Sequence, residues 1–119
     1  MSNQDLTLSV GAPPCAPTPR TRPPMSGETA IELASLFKAL ADPVRLRLLS
    51  AIAARIDGEA CVCDLSEGID VSQPTISHHL KVLREAGLLT SERRASWVYY
   101  RVVPQVLARL ADTLKAETA

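Results

Sequence analysis

The pattern between residues 61 and 87 constrains the fold of this chain more than any other feature. It predicts a short helix over residues 61–68, a tight turn, and a longer helix that begins after Ser72 and ends at Gly87. Serine is a good N-cap and glycine a good C-cap. The longer helix has one narrow apolar face at the spacing i, i+4 and i+7, formed by Ile76, Leu80 and Leu83. The stretch therefore predicts a helix-turn-helix.

The other faces of the longer helix carry short polar side chains and one cation. Hydrogen-bond donors and acceptors of this kind, followed by a positive charge, match the base edges and phosphates of a DNA major groove. A solvated helix face is the competing interpretation, but the helix-turn-helix pattern favours DNA reading. The predicted DNA-binding residues on this helix are Gln73, Thr75, Ser77, His78 and Lys81.

The spacing of the apolar residues changes after Gly87. Residues 88–103 contain two runs separated by Ala95-Ser96, and the second run is rich in β-branched and aromatic residues, which predicts a β-hairpin. Arg93 and Arg94 lie near its tip. In a winged helix they would reach backbone phosphate or the minor groove, whereas the alternative is that they only keep a surface hairpin soluble.

Three further helices complete a mainly α domain over residues 28–116. The first covers residues 28–41, the second starts with Asp42 as N-cap and Pro43 at the first helical position and runs to about Ile56, and the last opens at Pro104. The first and last helices are apolar on faces that so small a core cannot cover, so we expect a homodimer through them. The apolar positions of the three helices are Ile31, Ala34, Leu36, Phe37, Leu40, Leu48, Leu49, Ile52, Ile56, Val106 or Leu107, Leu110 and Leu114.

Charge and composition divide the chain in two. Residues 1–27 hold six of the nine prolines and predict a flexible arm. Thirteen basic residues balance thirteen acidic ones, which is unusual for a nucleic-acid-binding protein. Residues 72–101, however, carry five basic and two acidic residues, a local excess of three positive charges. The positive charge is therefore concentrated on the predicted DNA-binding region.

The three cysteines are the second chemical feature. The sequence contains no membrane-spanning run and no secretory signal, so we expect a cytoplasmic protein with reduced thiols. Cys61 and Cys63 stand at the start of the short helix, and Cys15 lies in the arm. Positions i and i+2 of a regular helix point apart, so two sulfurs can converge there only at a frayed or distorted helix start. Small cysteines that merely pack in a core are the alternative.

Three segments strongly resemble the ArsR/SmtB family of metal-sensing repressors. They are LFKALADPVRLRLL at 36–49, CVCDLSEGIDVSQPTISHHLKVLREAGLL at 61–89 and RRASWVYYRV at 93–102. The resemblance implies a dimeric winged helix-turn-helix repressor that leaves its double-stranded operator when an inducing ion binds. It also implies base contacts from Gln73, Ser77 and His78, and a thiolate pair from Cys61 and Cys63.

One departure from that family pattern shapes the predicted inducer site. Arsenic-sensing members often carry a third cysteine where this chain has Ser66, so we expect the arm to deliver Cys15 to Cys61 and Cys63. Three soft thiolates suit trivalent arsenic or antimony, whose lone pair fills the remaining direction. We expect no constitutive cofactor. Residues 104–119 contain no histidine, so we expect no zinc site on the last helix.

Other functions remain open at this stage. A repressor of the same family that responds to cadmium or lead would want a fourth donor. A thiol redox-sensing repressor and a metal-independent DNA-binding protein are further alternatives. An enzyme is not expected, because His78 and His79 have no recognisable catalytic partners and the chain has no glycine-rich phosphate loop.

Overall fold

The structure of the protein is a computed structural model that describes residues 15–118. Over this range the chain forms five helices and three strands. Their bounds are α1 Gly27–Leu40, α2 Pro43–Ala53, β1 Glu59–Cys61, α3 Val62–Leu65, α4 Gln73–Glu85, β2 Leu89–Arg94, β3 Trp97–Val102 and α5 Pro104–Ala116. Within the predicted arm, residues 15–26 form no helix or strand, Gly27 already begins α1, and residues 1–14 lie outside the described residues.

The predicted helix ends are confirmed where a capping residue marks them. The Asp42 carboxylate accepts hydrogen bonds from the backbone N–H groups of Val44 (2.9 Å) and Arg45 (3.1 Å), and Pro43 follows as the first residue of α2. The Ser72 hydroxyl caps α4 in the same way. Gly87 ends α4 with a φ of 87°, a left-handed conformation that glycine adopts without steric cost.

The core lies under α4. Ile76, Leu80 and Leu83 are each 0% exposed, which confirms the predicted apolar face of this helix. Burying such side chains is the main favourable term in folding and is not directional. The other residues of the core come from every helix and from the sheet, namely Leu33, Leu36, Ala39, Leu48, Ile52, Ala60, Leu65, Ile69, Leu88, Leu89 and Leu110.

Two expectations about the region between α2 and α4 were wrong. Helix α2 ends at Ala53, so Ile56 lies in the following turn and is fully exposed rather than buried with Leu48 and Ile52. The chain then turns at Gly58, with a φ of 74°, into the strand β1, which the sequence did not predict. Helix α3 begins at Val62, one residue after the predicted start, and ends at Leu65, three residues before the predicted end, so it has only four residues.

The hairpin is confirmed and forms part of a three-stranded antiparallel sheet in the order β1-β3-β2. Residues paired directly opposite in such a sheet point to the same side, and successive residues alternate. Ala60, Leu89 and Val102 point towards the core. Their immediate neighbours along each strand therefore point to the opposite side, which we call the outer face of the sheet.

The predicted apolar faces of α1 and α5 are only partly covered. Ile31 is 75% exposed, Leu114 is 52% exposed and Phe37 is 36% exposed, and Ala34 is also exposed. Leu36 and Leu110 are buried as expected. The residues left uncovered are those expected at a dimer interface, so the homodimer stays a prediction. None of the described helices is long and apolar enough to cross a membrane.

Candidate functional site

The outward face of α4 is open. Gln73, Ser77, His78 and Lys81 are exposed, and none of them forms a side-chain hydrogen bond or ion pair with another residue in the range 15–118. Thr75 differs, because its Oγ1 lies 2.8 Å from Ser72 Oγ and takes part in the helix cap. Four of the five side chains of α4 that were predicted to contact DNA are thus free to do so, whereas the Thr75 hydroxyl is already used in the helix cap.

Helix α4 is fixed from its flank by Arg45, which the sequence reasoning missed. The Arg45 guanidinium donates to Ala39 O at the end of α1 (2.5 Å) and to His79 Nδ1 on α4 (3.1 Å). A guanidinium only donates, so His79 Nδ1 accepts and its Nε2 carries the proton. These bonds tie the end of α1 to the centre of α4. The pKa of Asp42 is lowered, first because its carboxylate accepts the N–H of Arg45.

The two arginines of the hairpin have different environments. Arg94 points to the outer face, where its guanidinium donates two parallel hydrogen bonds to the Glu59 carboxylate, at 2.7 and 2.8 Å, and a third to Glu92 at 2.7 Å. Arg93 lies on the same side as Leu89 and has no hydrogen bond or ion pair from its side chain to any described residue. We predicted DNA contacts for both, and the structure leaves only Arg93 unengaged.

The ion pair between Glu59 and Arg94 shifts the pKa of both side chains. Hydrogen bonding by Arg94 holds the pKa of the Glu59 carboxyl below its usual range, with a smaller contribution from Arg101. The same bond raises the pKa of Arg94. Glu59 is 12% exposed at its side chain, and Arg101 Nη2 donates to it at 3.2 Å. The carboxylate therefore neutralises part of the local positive charge that the sequence places between residues 72 and 101.

The sulfurs of Cys61 and Cys63 lie together, as the family resemblance implied. Cys61 is the N-cap of α3, with an extended backbone (φ −94°, ψ 167°), and this distorted start turns both side chains to one side. The structure joins the two sulfurs as a disulfide across a Cα–Cα distance of 5.5 Å, whereas the expected cytoplasmic location predicted reduced thiols. Cys61 is 5% exposed, and Cys63 is exposed. The pair is therefore reachable from solvent through Cys63.

Asp64 belongs to the same cluster and was missed by the sequence reasoning. Its Oδ2 accepts the backbone N–H of Cys61 at 3.2 Å and lies 3.4 Å from Cys61 Sγ, while Oδ1 pairs with Arg55 at 3.1 Å. The ligand atoms of Cys61, Cys63 and Asp64 all lie within 4.8 Å of one another, so the three could hold one ion. The available signal was an acidic residue three positions after an N-cap.

The remaining predicted ligand is elsewhere. Cys15 is a free, exposed cysteine of the arm and is not part of the cluster around Cys61. Ser66, which stands where arsenic-sensing relatives often carry a cysteine, donates its hydroxyl proton to Val62 O at 3.1 Å. The structure therefore brings together two of the three predicted thiols.

Comparison with known proteins gives a consistent result. The family model described as "Bacterial regulatory protein, arsR family" matches residues 42–91. The arsenic resistance transcriptional regulator ArsR1 of Pseudomonas putida is 51% identical over 71 residues, which cover 60% of this chain and 54% of that protein. The arsenical resistance operon repressor of Escherichia coli is 48% identical over 79 residues, which cover 66% of each chain. This chain thus spans between half and two thirds of the length of these two relatives.

A solved structure matches over a longer range. The AntR antimony-specific transcriptional repressor superposes with a TM-score of 0.66 at 33% identity, covering 89% of this chain and 100% of that one. This likeness confirms the predicted winged helix-turn-helix. The matched relatives are transcriptional regulators, so the expectation that the chain is not an enzyme is also confirmed.

Proposed function

The chain belongs to the arsR family of bacterial regulatory proteins, and we propose that it is a homodimeric repressor that leaves operator DNA when its thiolates capture trivalent arsenic or antimony. The observation that carries the proposal is the pairing of two surfaces within one small domain. A buried apolar stripe fixes α4 with its polar face outward, and a pair of cysteines lies at the start of the helix before it.

DNA contact is supported by the free side chains of α4 and by Arg93. Helix α4 supplies short polar groups for base edges, and Lys81 and Arg93 supply charge for phosphates. A twofold dimer through the exposed apolar residues of α1 and α5 would present two copies of α4 to a palindromic site. Sedimentation of the full chain tests the dimer, and Ile31→Asp should shift it towards monomer.

Inducer capture is supported by the chemistry of the donor set. Thiolates select soft ions, and the sulfurs of Cys61 and Cys63 already lie next to each other in the fold. Cys15, brought in by the arm of the same or the partner subunit, would complete three sulfur ligands. Asp64 offers only an oxygen, and its carboxylate is engaged by Arg55.

The test is operator binding followed by fluorescence anisotropy under reducing conditions. A binding duplex is first selected from a random-sequence library with the full chain, and arsenite, antimonite, cadmium, lead and zinc are then titrated separately. Arsenite or antimonite should weaken binding about 5- to 150-fold, the range of typical allosteric couplings. Cys61→Ser should abolish the response. If Cys15→Ser left it intact, the three-thiol site would be wrong; if cadmium or lead alone acted, the inducer class would be wrong.

A thiol redox response is the second candidate, because the structure joins Cys61 and Cys63 as a disulfide. Their Cα–Cα distance of 5.5 Å lies within the range of ordinary disulfides. In this reaction the two thiols would lose two protons and two electrons to hydrogen peroxide, giving the disulfide and two waters. Peroxide should then release operator in Cys15→Ser, and dithiothreitol should restore binding. Release by arsenite in the presence of a thiol-free phosphine reductant, without release by peroxide, would exclude it.

A further inference from the structure

The thiol pair and the tip of the hairpin lie on one face of the sheet. Cys61 pairs with Tyr99, and Glu59 pairs with Arg101, so all four side chains point to the outer face. On the neighbouring strand the same register places Glu92 opposite Tyr99, and Arg94 next along that face. The cysteine that begins α3 is therefore a direct cross-strand neighbour of the hairpin.

Contacts continue from that pairing to the tip. The Arg94 guanidinium carbon lies 4.6 Å from the centre of the Tyr99 ring, within the range of a cation–π contact. The same guanidinium holds the Glu59 carboxylate with two parallel hydrogen bonds. Glu59 and Cys61 stand two residues apart on β1. The contacts thus return to the strand where they began. Cys61 on β1 pairs with Tyr99, the Tyr99 ring contacts Arg94, and Arg94 binds Glu59, which is also on β1.

These polar contacts are partly exposed to solvent and therefore cost little free energy to break. Arg94 is 43% exposed at its side chain, and pairs at that exposure contribute little to the free energy of folding. The bidentate geometry, in contrast, is directional, because two N–H groups must face two carboxylate oxygens. A small displacement of β1 therefore changes the orientation of the hairpin tip without unfolding the domain.

We propose that Tyr99, Arg94 and Glu59 are positioning residues that transmit ligand capture at Cys61 to the hairpin, so that the inducer acts on Arg93 as well as on α4. The inference rests on the proposed function. Drawing the Cys61 sulfur towards a third ligand moves the end of β1 against Tyr99. Arg94 then loses its alignment with Glu59, and the hairpin tip shifts, taking Arg93 away from the phosphate it contacts.

The chain carries its own reporter of this motion. Trp97 is the only tryptophan in the sequence, lies opposite Arg94 at the hairpin tip, and is 55% exposed. Its emission and its quenching by acrylamide therefore report on the tip directly. The measurement uses the full chain kept reduced by a thiol-free phosphine, with and without arsenite, and in parallel with operator anisotropy. Protection of the cysteines from alkylation, followed by mass, shows independently whether arsenite has bound.

Two variants break the contacts at different points. Tyr99→Leu removes the ring between Cys61 and Arg94, and Glu59→Gln removes the charge that holds Arg94. Both should bind operator more weakly than the wild type without arsenite and lose little further affinity with it, and the Trp97 response should disappear. Tyr99→Phe keeps the ring and should keep the release. Glu28→Gln makes the same chemical change at an exposed position in the first turn of α1 and should behave as the wild type.

The ratio of operator affinities without and with arsenite decides the result. A merely structural role would lower both affinities and leave their ratio at the wild-type value, which would overturn the proposal while the thiol-responsive repressor stood. Failure of the wild type itself to bind arsenite or release operator would overturn both. If Tyr99→Leu does not fold, as judged by circular dichroism, Glu59→Gln gives the same decision, because a wild-type ratio in that variant refutes the relay.

Discussion

The helix and the hairpin that are expected to meet DNA are held in opposite ways. Helix α4 rests on three fully buried side chains, and its outward polar residues are free. The outer face of the hairpin is occupied by an internal network of Arg94, Glu59, Glu92 and Tyr99. Helix α4 is thus fixed by apolar packing and by one polar contact from Arg45 to His79, and it is open towards DNA, whereas the outer face of the hairpin is held by polar contacts that also reach the thiol pair.

This difference assigns different tasks to the two elements. Buried apolar side chains stay packed as long as the domain is folded, so α4 keeps its place on the core and moves only together with it. Directional polar contacts near the surface cost little to break, so they suit an element that must move. The contrast predicts that substitutions under α4 change stability, and substitutions around the hairpin change DNA affinity and its response to inducer.

The largest expected effect is on stability and comes from beneath α4. Leu80→Ala removes a side chain that is 0% exposed and should lower the free energy of unfolding by about 2–5 kcal/mol. Urea unfolding followed by circular dichroism measures it, with the exposed Lys81→Ala as control, which should change the free energy by less than about 0.5 kcal/mol. A loss below about 1 kcal/mol for Leu80→Ala would show that α4 is not held by the core.

The next effect separates the two arginines of the hairpin. Arg93→Gln should weaken operator binding and reduce the slope of log K against log salt by about 0.9 per subunit, because one phosphate contact is lost. Added to Arg93→Gln, the substitution Arg94→Gln should change the slope little further, because the charge of Arg94 is already paired with Glu59 and Glu92. Anisotropy titrations at several salt concentrations measure the slopes of the single and the double variant. A further reduction of similar size in the double variant would mean that Arg94 also contacts phosphate and would remove the contrast between its environment and that of Arg93.

Much of this arrangement could be predicted from the sequence, because it depends on local signals. The period of Ile76, Leu80 and Leu83, the caps at Asp42 and Ser72, and the β-branched run of the hairpin each act within a few residues. The pairing of the two cysteines was implied by the family resemblance, and their spacing placed it at an irregular helix start, since positions i and i+2 of a regular helix point apart.

The parts that could not be predicted depend on contacts between distant residues. Strand β1 has three residues, too few to show a period, and it forms only because β3 lies beside it. The pairing of Arg94 with Glu59 spans 35 residues of sequence. Ile56 continued the period of α2, but the helix ends three residues earlier. Propensity and period do not contain this information, so the network on the outer face appears only in the structure.

A smaller effect concerns acid stability and tests the ion pair at Glu59. The folded-state pKa of Glu59 is lowered, so its stabilising contribution is present above the pKa of unfolded glutamate, about 4.3, and is lost as the pH falls through the lower folded value. Glu59→Gln should therefore be less stable than the wild type at pH 6, and the difference should shrink towards pH 3. Urea midpoints across this range measure it. A difference that did not shrink towards pH 3 would show that it does not come from the charge of Glu59.

The smallest effect compares the same substitution in the two elements. Ala95 has a φ of 56° in the hairpin turn, a left-handed conformation that costs a residue with a Cβ about 1–2 kcal/mol. Ala95→Gly relieves this cost but frees the unfolded chain by about 0.4–1 kcal/mol, so the free energy of unfolding should rise by between about 0 and 1.6 kcal/mol. Ala86→Gly, at the helical C-cap of α4, should lower it by about 0.5–1 kcal/mol or more. Thermal melts of both variants give opposite signs if the turn is strained and the helix end is not.

Because Ala95 takes no part in the pairing of Arg94 with Glu59, the salt slope of Ala95→Gly should match that of the wild type; a changed slope would mean that the turn itself sets the position of Arg93.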